Sequence, residues 1–384
     1  GAMIKSELIE KLAAENTHLT HGEVERLVNV VLGKMTDSLG EGGRVFAIGA
    51  NGHYLGHWVR AILARGVDPR RVVVIRDQQH CPVPVCAGLD GVMELAIEPG
   101  DLDAVIAGLQ PGGRDLGCVL AWHRRVSAAV IETFAGRLLN LHYGDLPRYR
   151  GAGGGSWQVL NGETETSAYI HAMTVELDRG GILMRETEPF ASNEPYPRHV
   201  KEAAARAGIR VLDRLAAQLA GGMLPLQAQD EDAAVYFPRL DTTGNGWIDF
   251  SWPSLALLRF VRAFSDPYPG ASFRYHDRLY RVRRARLRNE DALHPFAAGL
   301  VVNRTDVGLH VAVYDAVVVF SEIHDAQGRL CSPEVFRVGG RLWSSAEDLL
   351  TAKMCRPSAR ASTQCQATSK KSSGASKPGT DQSC

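Results

Sequence analysis

Two short apolar runs joined by a helical stretch limit what this chain can fold into. Arg44-Val-Phe-Ala-Ile48 reads as a strand, Gly49-Ala-Asn-Gly52 as a tight loop and Tyr54 to Ala64 as a helix. Arg71-Val-Val-Val-Ile75 reads as the next strand. A strand, a helix and a second strand in this order open a doubly wound α/β sheet. Gly49, Gly52 and Gly56 lack the spacing of a dinucleotide fingerprint, so a nicotinamide site is not expected.

The most informative stretch lies further on. Cys118-Val-Leu-Ala and a helical spacing from Val126 to Phe134 lead to Leu138-Leu139 and then Asn140-Leu-His142-Tyr-Gly-Asp-Leu-Pro147-Arg-Tyr149-Arg150-Gly151. This reads as a strand with a polar end followed by a Pro-Gly loop. Ligands of open α/β sheets bind at such carboxyl ends. Asn140 and His142, at i and i+2, project from one face of a strand. An amide there can hold a developing oxyanion, and an imidazole can handle the proton of an attacking group. The same bare pair is also the pattern of a hydrogen-bonded strand terminus.

Context decides between these readings. Downstream stand Trp157, Val159-Leu-Asn-Gly-Glu-Thr-Glu-Thr166, Ile170-His171 and Leu177-Asp178-Arg-Gly180-Gly-Ile-Leu183. Together with Asn140-Leu-His142 and Leu146-Pro-Arg-Tyr-Arg-Gly151, this order resembles the signature of the folate-dependent formyltransferases. That family includes methionyl-tRNA formyltransferase, glycinamide ribonucleotide formyltransferase and the amino-sugar N-formyltransferases. The resemblance implies a Rossmann-like catalytic domain that uses 10-formyltetrahydrofolate as co-substrate. It implies that Asn140, His142 and Asp178 occupy the catalytic positions, with Asp178 orienting His142 and favouring its imidazolium. It also implies folate contacts at Arg124, Arg125 and Val126, at Leu146 and Pro147, and at Thr174, Val175, Glu176 and Leu177. Asp145, the Gly153-Gly154-Gly155 run and Ser167-Ala-Tyr169 depart from the usual pattern. His171 reads as a strand or core histidine, and no His/Cys/Asp spacing points to a metal.

Tyr236-Phe-Pro-Arg239, Trp247-Ile-Asp-Phe250-Ser-Trp252, Phe260-Val-Arg262-Ala-Phe264 and Asp266-Pro-Tyr-Pro-Gly-Ala271 resemble the second domain of the amino-sugar and methionyl-tRNA enzymes. Strand-like alternation after them fits a small OB-like β-barrel. At the other end, apolar stripes over residues 3 to 40 read as a helical hairpin similar to the first helices of the HU and integration-host-factor family. Residues 1 to 43 hold four Lys or Arg against seven Asp or Glu, so the hairpin is acidic and DNA is not an expected partner. A docking or homodimerising role fits it better.

The expected organisation is a hairpin over 3–41, a catalytic domain over 44–235, an OB-like domain over 245–345 and a disordered tail over 356–384, where Ser, Thr, Lys, Gln and Gly dominate. Charged residues make up 22% of the chain and the formal net charge is zero, which is ordinary globular composition. No apolar run approaches a membrane span, no secretory signal opens the chain and seven scattered cysteines read as free thiols, so a cytoplasmic protein is expected. The expected activity is N-formylation of a small-molecule primary amine, preferably a nucleotide-linked amino sugar. Residues 77 to 84 are nearly uncharged, where methionyl-tRNA formyltransferases carry a basic insertion. The alternatives are a methionyl-tRNA, peptide or amino-acid acceptor, or a non-catalytic binding protein on the same fold, to which Asp145 and the glycine run belong.

Overall fold

The computed structural model describes residues 43–152, 154–219, 226–289 and 293–356. The expected hairpin and all but Arg356 of the expected tail lie outside the described residues. The chain divides into two compact units between Phe237 and Pro238.

In the first unit, β1 (Val45–Gly49), β2 (Val72–Asp77), β3 (Met93–Ile97), β4 (Leu116–Leu120) and β5 (Leu138–Tyr143) run parallel. A short β6 (Arg150–Gly151) leaves this sheet to pair with β9 (Tyr236–Phe237). Then β7 (Glu165–Ala172) pairs antiparallel with β5, and β8 (Ile182–Pro189) with β7. The order β3-β2-β1-β4-β5-β7-β8 is that of a Rossmann-like sheet with an antiparallel edge.

Strand parity sorts the side chains into two cores. Val45 and Ala47 face α1 (Gly52–Leu63) and a long helix late in this unit, Pro197–Gln218, against Trp58, Ile62, Val211 and Leu215. Phe46 and Ile48 face α2 (Leu102–Leu109) and α3 (Ala128–Thr133), against Ile106, Leu109, Val130 and Phe134. Each large side chain so buried contributes about 1.5–3 kcal/mol. The Asn51 side chain starts α1 by accepting from the N–H groups of His53 at 3.0 Å and Tyr54 at 3.3 Å.

The same parity makes the site. On β5, Leu139 and Leu141 belong to the first core and Leu138 to the second, so Asn140 and His142 continue the face of Leu138. On β7, Ala168, Ile170 and Ala172 are in the first core, which puts Tyr169 and His171 on that same opposite face. The antiparallel register sets Asn140 opposite His171 and His142 opposite Tyr169.

Residues 76 to 116 contain β3 and α2, which the sequence does not announce. β3 is an edge strand interrupted by Glu94, which pairs with Arg76 at 2.8 Å, and α2 is only eight residues long, so neither shows a clear period. Gly244-Asn-Gly246 closes a short helix at Thr242–Asn245 that Asp241 caps at 2.8 Å.

The second unit holds helices at Thr242–Asn245, Ser254–Ala263 and Ala346–Met354 and a six-stranded antiparallel sheet. Its strands are β10 (Ala271–Tyr275), β11 (Arg278–Asn289), β12 (Val301–Thr305), β13 (Gly308–Ala312), β14 (Val317–Asp325) and β15 (Leu342–Trp343), in the order β12-β13-β14-β11-β10-β15. The sheet curls, because residues beside its two edge strands meet. Val301 N–H donates to Gly340 O, and Leu342 N–H to Gly299 O, both at 2.8 Å. Phe273, Phe320 and Phe336 fill the interior. Among the described residues no helix is long and apolar enough to cross a membrane.

Candidate active site

His142, 7% exposed, stands near the carboxyl end of β5 with one ring nitrogen hydrogen-bonded and the other facing a carboxylate. Its Nε2 lies 2.7 Å from the Tyr149 carbonyl, which can only accept, so this nitrogen carries the proton of the neutral ring. That leaves Nδ1 directed at Asp178 Oδ2, 3.6 Å away.

The Tyr149 carbonyl is itself held in place. The Tyr149 ring stacks on Phe237 with centroids 4.9 Å apart, and its hydroxyl donates to Glu163 Oε1 at 2.7 Å and accepts from Asn161 Nδ2 at 2.9 Å. Asn161-Gly-Glu163 thus reaches His142 through Tyr149. Asp145 has a similar structural use, accepting from the buried Tyr169 hydroxyl at 2.7 Å. Tyr169 lies opposite His142, and burial raises its phenol to about 12.

Asp178 lies on the loop between β7 and β8 in the left-handed region, at φ 55°. Two distant segments hold it there. Its Oδ2 accepts from Gly151 N–H at 2.8 Å, and its carbonyl accepts from Gln229 Nε2 at 2.8 Å. Gln229 Oε1 in turn accepts from Arg150 Nη2 at 2.9 Å, and Arg150 pairs with Glu231 at 2.8 Å.

His171 is buried beside this pair, 1% exposed. Burial, and then the nearby charge of His142, push its pKa down to about 4. The neutral ring donates from Nδ1 to Ala172 O at 2.9 Å, so Nε2 accepts from Asn140 Nδ2 at 3.1 Å. The amide has a second hydrogen, which this bond does not use.

The expected folate residues fall into two groups. Arg125 Nη2 donates to Val175 O at 2.8 Å and so ties the loop after β4 to the loop after β7. Between these loops lies a cavity of about 30 Å³, lined by Arg125, Val126, Thr174, Val175 and Leu177 and ending on His171 and Asp178. Val175 and Leu177 are 47% and 46% exposed, so the loop presents apolar groups at the mouth. Arg124, Leu146, Pro147 and Glu176 do not line this cavity. Leu146 is buried, the Pro147 carbonyl accepts from Val235 N–H at 3.1 Å and the Glu176 carbonyl from the Thr174 hydroxyl at 2.8 Å.

Sequence reasoning missed the Tyr149 carbonyl, Gly151 N–H and Gln229, whereas His171, read as a strand or core histidine, is buried on β7. Backbone groups leave no residue signal, and Gln229 is far from Asp178 along the chain. What the sequence did not show is the register of His171 opposite Asn140 and the contact that follows.

Fold and cluster together define the class: an open α/β protein with a His–His–Asp group gathered at the carboxyl end of β5. Residues 46–212 match the family described as Formyl transferase, and residues 242–340 match Formyl transferase, C-terminal domain. The chain belongs to the formyl transferase family, whose members formylate amines from formyltetrahydrofolate. It is 29% identical to a methionyl-tRNA formyltransferase of Heliobacterium modesticaldum over 297 residues, covering 75% of this chain and 91% of the relative. A solved N-formyltransferase of Helicobacter canadensis, in complex with folinic acid and dTDP-3-aminofucose, superposes with a TM-score of 0.57 at 16% identity, over 73% of this chain and 98% of the other. WlaRD, a sugar 3N-formyltransferase solved in the presence of dTDP and 5-N-formyl-THF, gives the same TM-score at 17% identity and the same coverage. At these identities the likeness to the solved structures is one of fold.

Proposed function

We propose that this chain moves the formyl group of 10-formyltetrahydrofolate to a primary amine, with a nucleotide-linked amino sugar as the preferred acceptor. The observation that carries the reading is the arrangement of His142, with Nε2 committed to the Tyr149 carbonyl and Nδ1 facing Asp178 Oδ2 at 3.6 Å. The amine nitrogen attacks the formyl carbon. His142 Nδ1 takes the proton the nitrogen loses, and the Asp178 carboxylate stabilises the imidazolium. The unused hydrogen of Asn140 Nδ2 donates to the oxyanion of the tetrahedral intermediate. When that intermediate collapses, the bond from carbon to the folate nitrogen breaks and His142 returns the proton to the leaving nitrogen.

Arg125, Val126 and Thr174 to Leu177 would hold the folate, with Arg124, Leu146 and Pro147 at its margin. The present cavity takes a water and not a pterin, since ligand pockets run to about 300 Å³ and more. Folate entry at this cavity would spread the loops that Arg125 ties to Val175. The curled sheet of the second unit fits an OB-like barrel.

A second acceptor reading has its own support. The similar curated protein acts, by its name, on methionyl-tRNA, and β11 carries six arginines, at 278, 281, 283, 284, 286 and 288. Basic side chains in such a row suit a polyanion. Incubation with 10-formyltetrahydrofolate and either nucleotide-linked amino sugars or methionyl-tRNA, following tetrahydrofolate release, separates the two. Release with the sugars alone supports the preferred acceptor. Release with methionyl-tRNA alone transfers the reading to tRNA, and release with neither leaves a peptide or amino-acid acceptor, or the non-catalytic reading, in its place.

A further inference from the structure

We propose that His142, His171 and Asp178 form a binding site for a divalent transition-metal ion of the zinc class. One ligand atom from each of His142, His171 and Asp178 lies within 4.8 Å of the other two. The separations are 3.6 Å from His142 Nδ1 to Asp178 Oδ2 and 3.7 Å from His171 Nε2 to Asp178 Oδ1. Ligand atoms about 2.0–2.2 Å from a tetrahedral zinc stand roughly 3.3–3.6 Å apart. The two contacts reach different Asp178 oxygens and fall near that span, and the wider separations, within 4.8 Å, have to close by side-chain rotation.

The surroundings are those of a ligand set. A metal-binding histidine donates its other ring N–H to a carbonyl or carboxylate, which fixes the tautomer and turns the lone pair inward. Both histidines do this, His142 to Tyr149 O at 2.7 Å and His171 to Ala172 O at 2.9 Å. The Asp178 carboxylate is steadied by Gly151 N–H at 2.8 Å and keeps lone pairs for an ion. The cavity that ends on His171 and Asp178 has a volume of about 30 Å³, room for a water as fourth ligand. Two imidazoles and one carboxylate select zinc, cobalt, nickel or copper over magnesium or calcium.

One contact opposes the ion. Asn140 Nδ2 donates to the lone pair of His171 Nε2 at 3.1 Å, so the amide has to turn away for the metal to bind. Asn140 therefore competes with the metal for His171. A bound ion would also occupy the Nδ1 lone pair that the proposed formyl transfer uses. Inhibition by the metal, reversed by a chelator, rests on that functional reading, whereas binding does not.

The test uses the full chain freed of metal, with neither folate nor amine present. Cobalt(II) is titrated and the visible bands of its tetrahedral complex are followed, with zinc then displacing it. The expected result is one ion per chain with tetrahedral bands, and affinity weaker by roughly 100-fold or more in His142→Ala and in His171→Ala. Asn140→Ala should bind the ion at least as tightly as the wild type. Circular dichroism establishes that each variant is folded, and a His171→Ala chain that fails to fold leaves His142→Ala and Asn140→Ala to decide. Absence of tetrahedral bands, or affinity unchanged in folded His142→Ala, or affinity lost in Asn140→Ala, would overturn the proposal. Because no formyl donor is present, none of these outcomes depends on the transferase reading.

Discussion

Asn140 Nδ2 stands 3.1 Å from His171 Nε2, on directly opposed positions of β5 and β7. The imidazole thereby fixes the plane of the amide proposed to hold the oxyanion. His171→Leu should lower turnover by roughly tenfold, the worth of one well-placed hydrogen bond, with KM for the folate little changed. His171→Gln can still accept from Asn140 and should restore most of the loss. Equal losses in both variants would remove the positioning role.

The same burial makes stability depend on pH. An unfolded histidine protonates near 6.5, whereas in the folded chain burial and then the charge of His142 hold His171 down to about 4. Between these values the unfolded chain takes up a proton that the folded chain refuses. This contribution to stability is therefore fully present above 6.5 and is lost as pH falls towards 4. The loss should be on the order of 1–3 kcal/mol. Urea unfolding of wild type and His171→Gln at neutral and at mildly acidic pH measures it, and parallel acid losses in the two proteins would contradict the assignment.

Gly180 packs against the carbonyl that anchors His171. A Cβ built at Gly180 would meet Ala172 O at 1.8 Å, too close for any side chain. Gly180→Ala should displace the Ala172 carbonyl or the Asp178 loop, lowering stability by about 1–3 kcal/mol and turnover with it. A thermal melt and a turnover assay check this, and an unchanged melting temperature would argue against the packing described.

Much of this was legible in the residues. Apolar runs at 44–48 and 71–75 announced β1 and β2, and the i, i+2 spacing of Asn140 and His142 put them on one face of β5. β3 was not legible, because Glu94 breaks its pattern to pair with Arg76. Nor was the support of the site. Asp178 is held by Gly151 N–H and by Gln229, and His142 by a carbonyl, contacts that exist only once β5, β6 and β7 are brought together. The role of His171 depends on a register that no local pattern sets.

Tyr149 carries that support through its hydroxyl. Tyr149→Phe leaves Glu163 and Asn161 without their shared partner and should cost about 1–3 kcal/mol of stability. Turnover should fall less than in a His142 variant, because the carbonyl that holds His142 Nε2 remains. Denaturant midpoints read beside turnover test this, and a collapse of turnover with stability intact would assign the hydroxyl a direct part in the chemistry.

The most direct test of the central claim is tetrahydrofolate release by His142→Ala beside wild type, with 10-formyltetrahydrofolate and an accepted amine, and folate binding measured in parallel. With His142 Nδ1 as the group that takes and returns the proton, turnover should fall on the order of 10²–10⁴ while folate affinity stays close to that of the wild type. Near-wild-type turnover in His142→Ala would contradict the account.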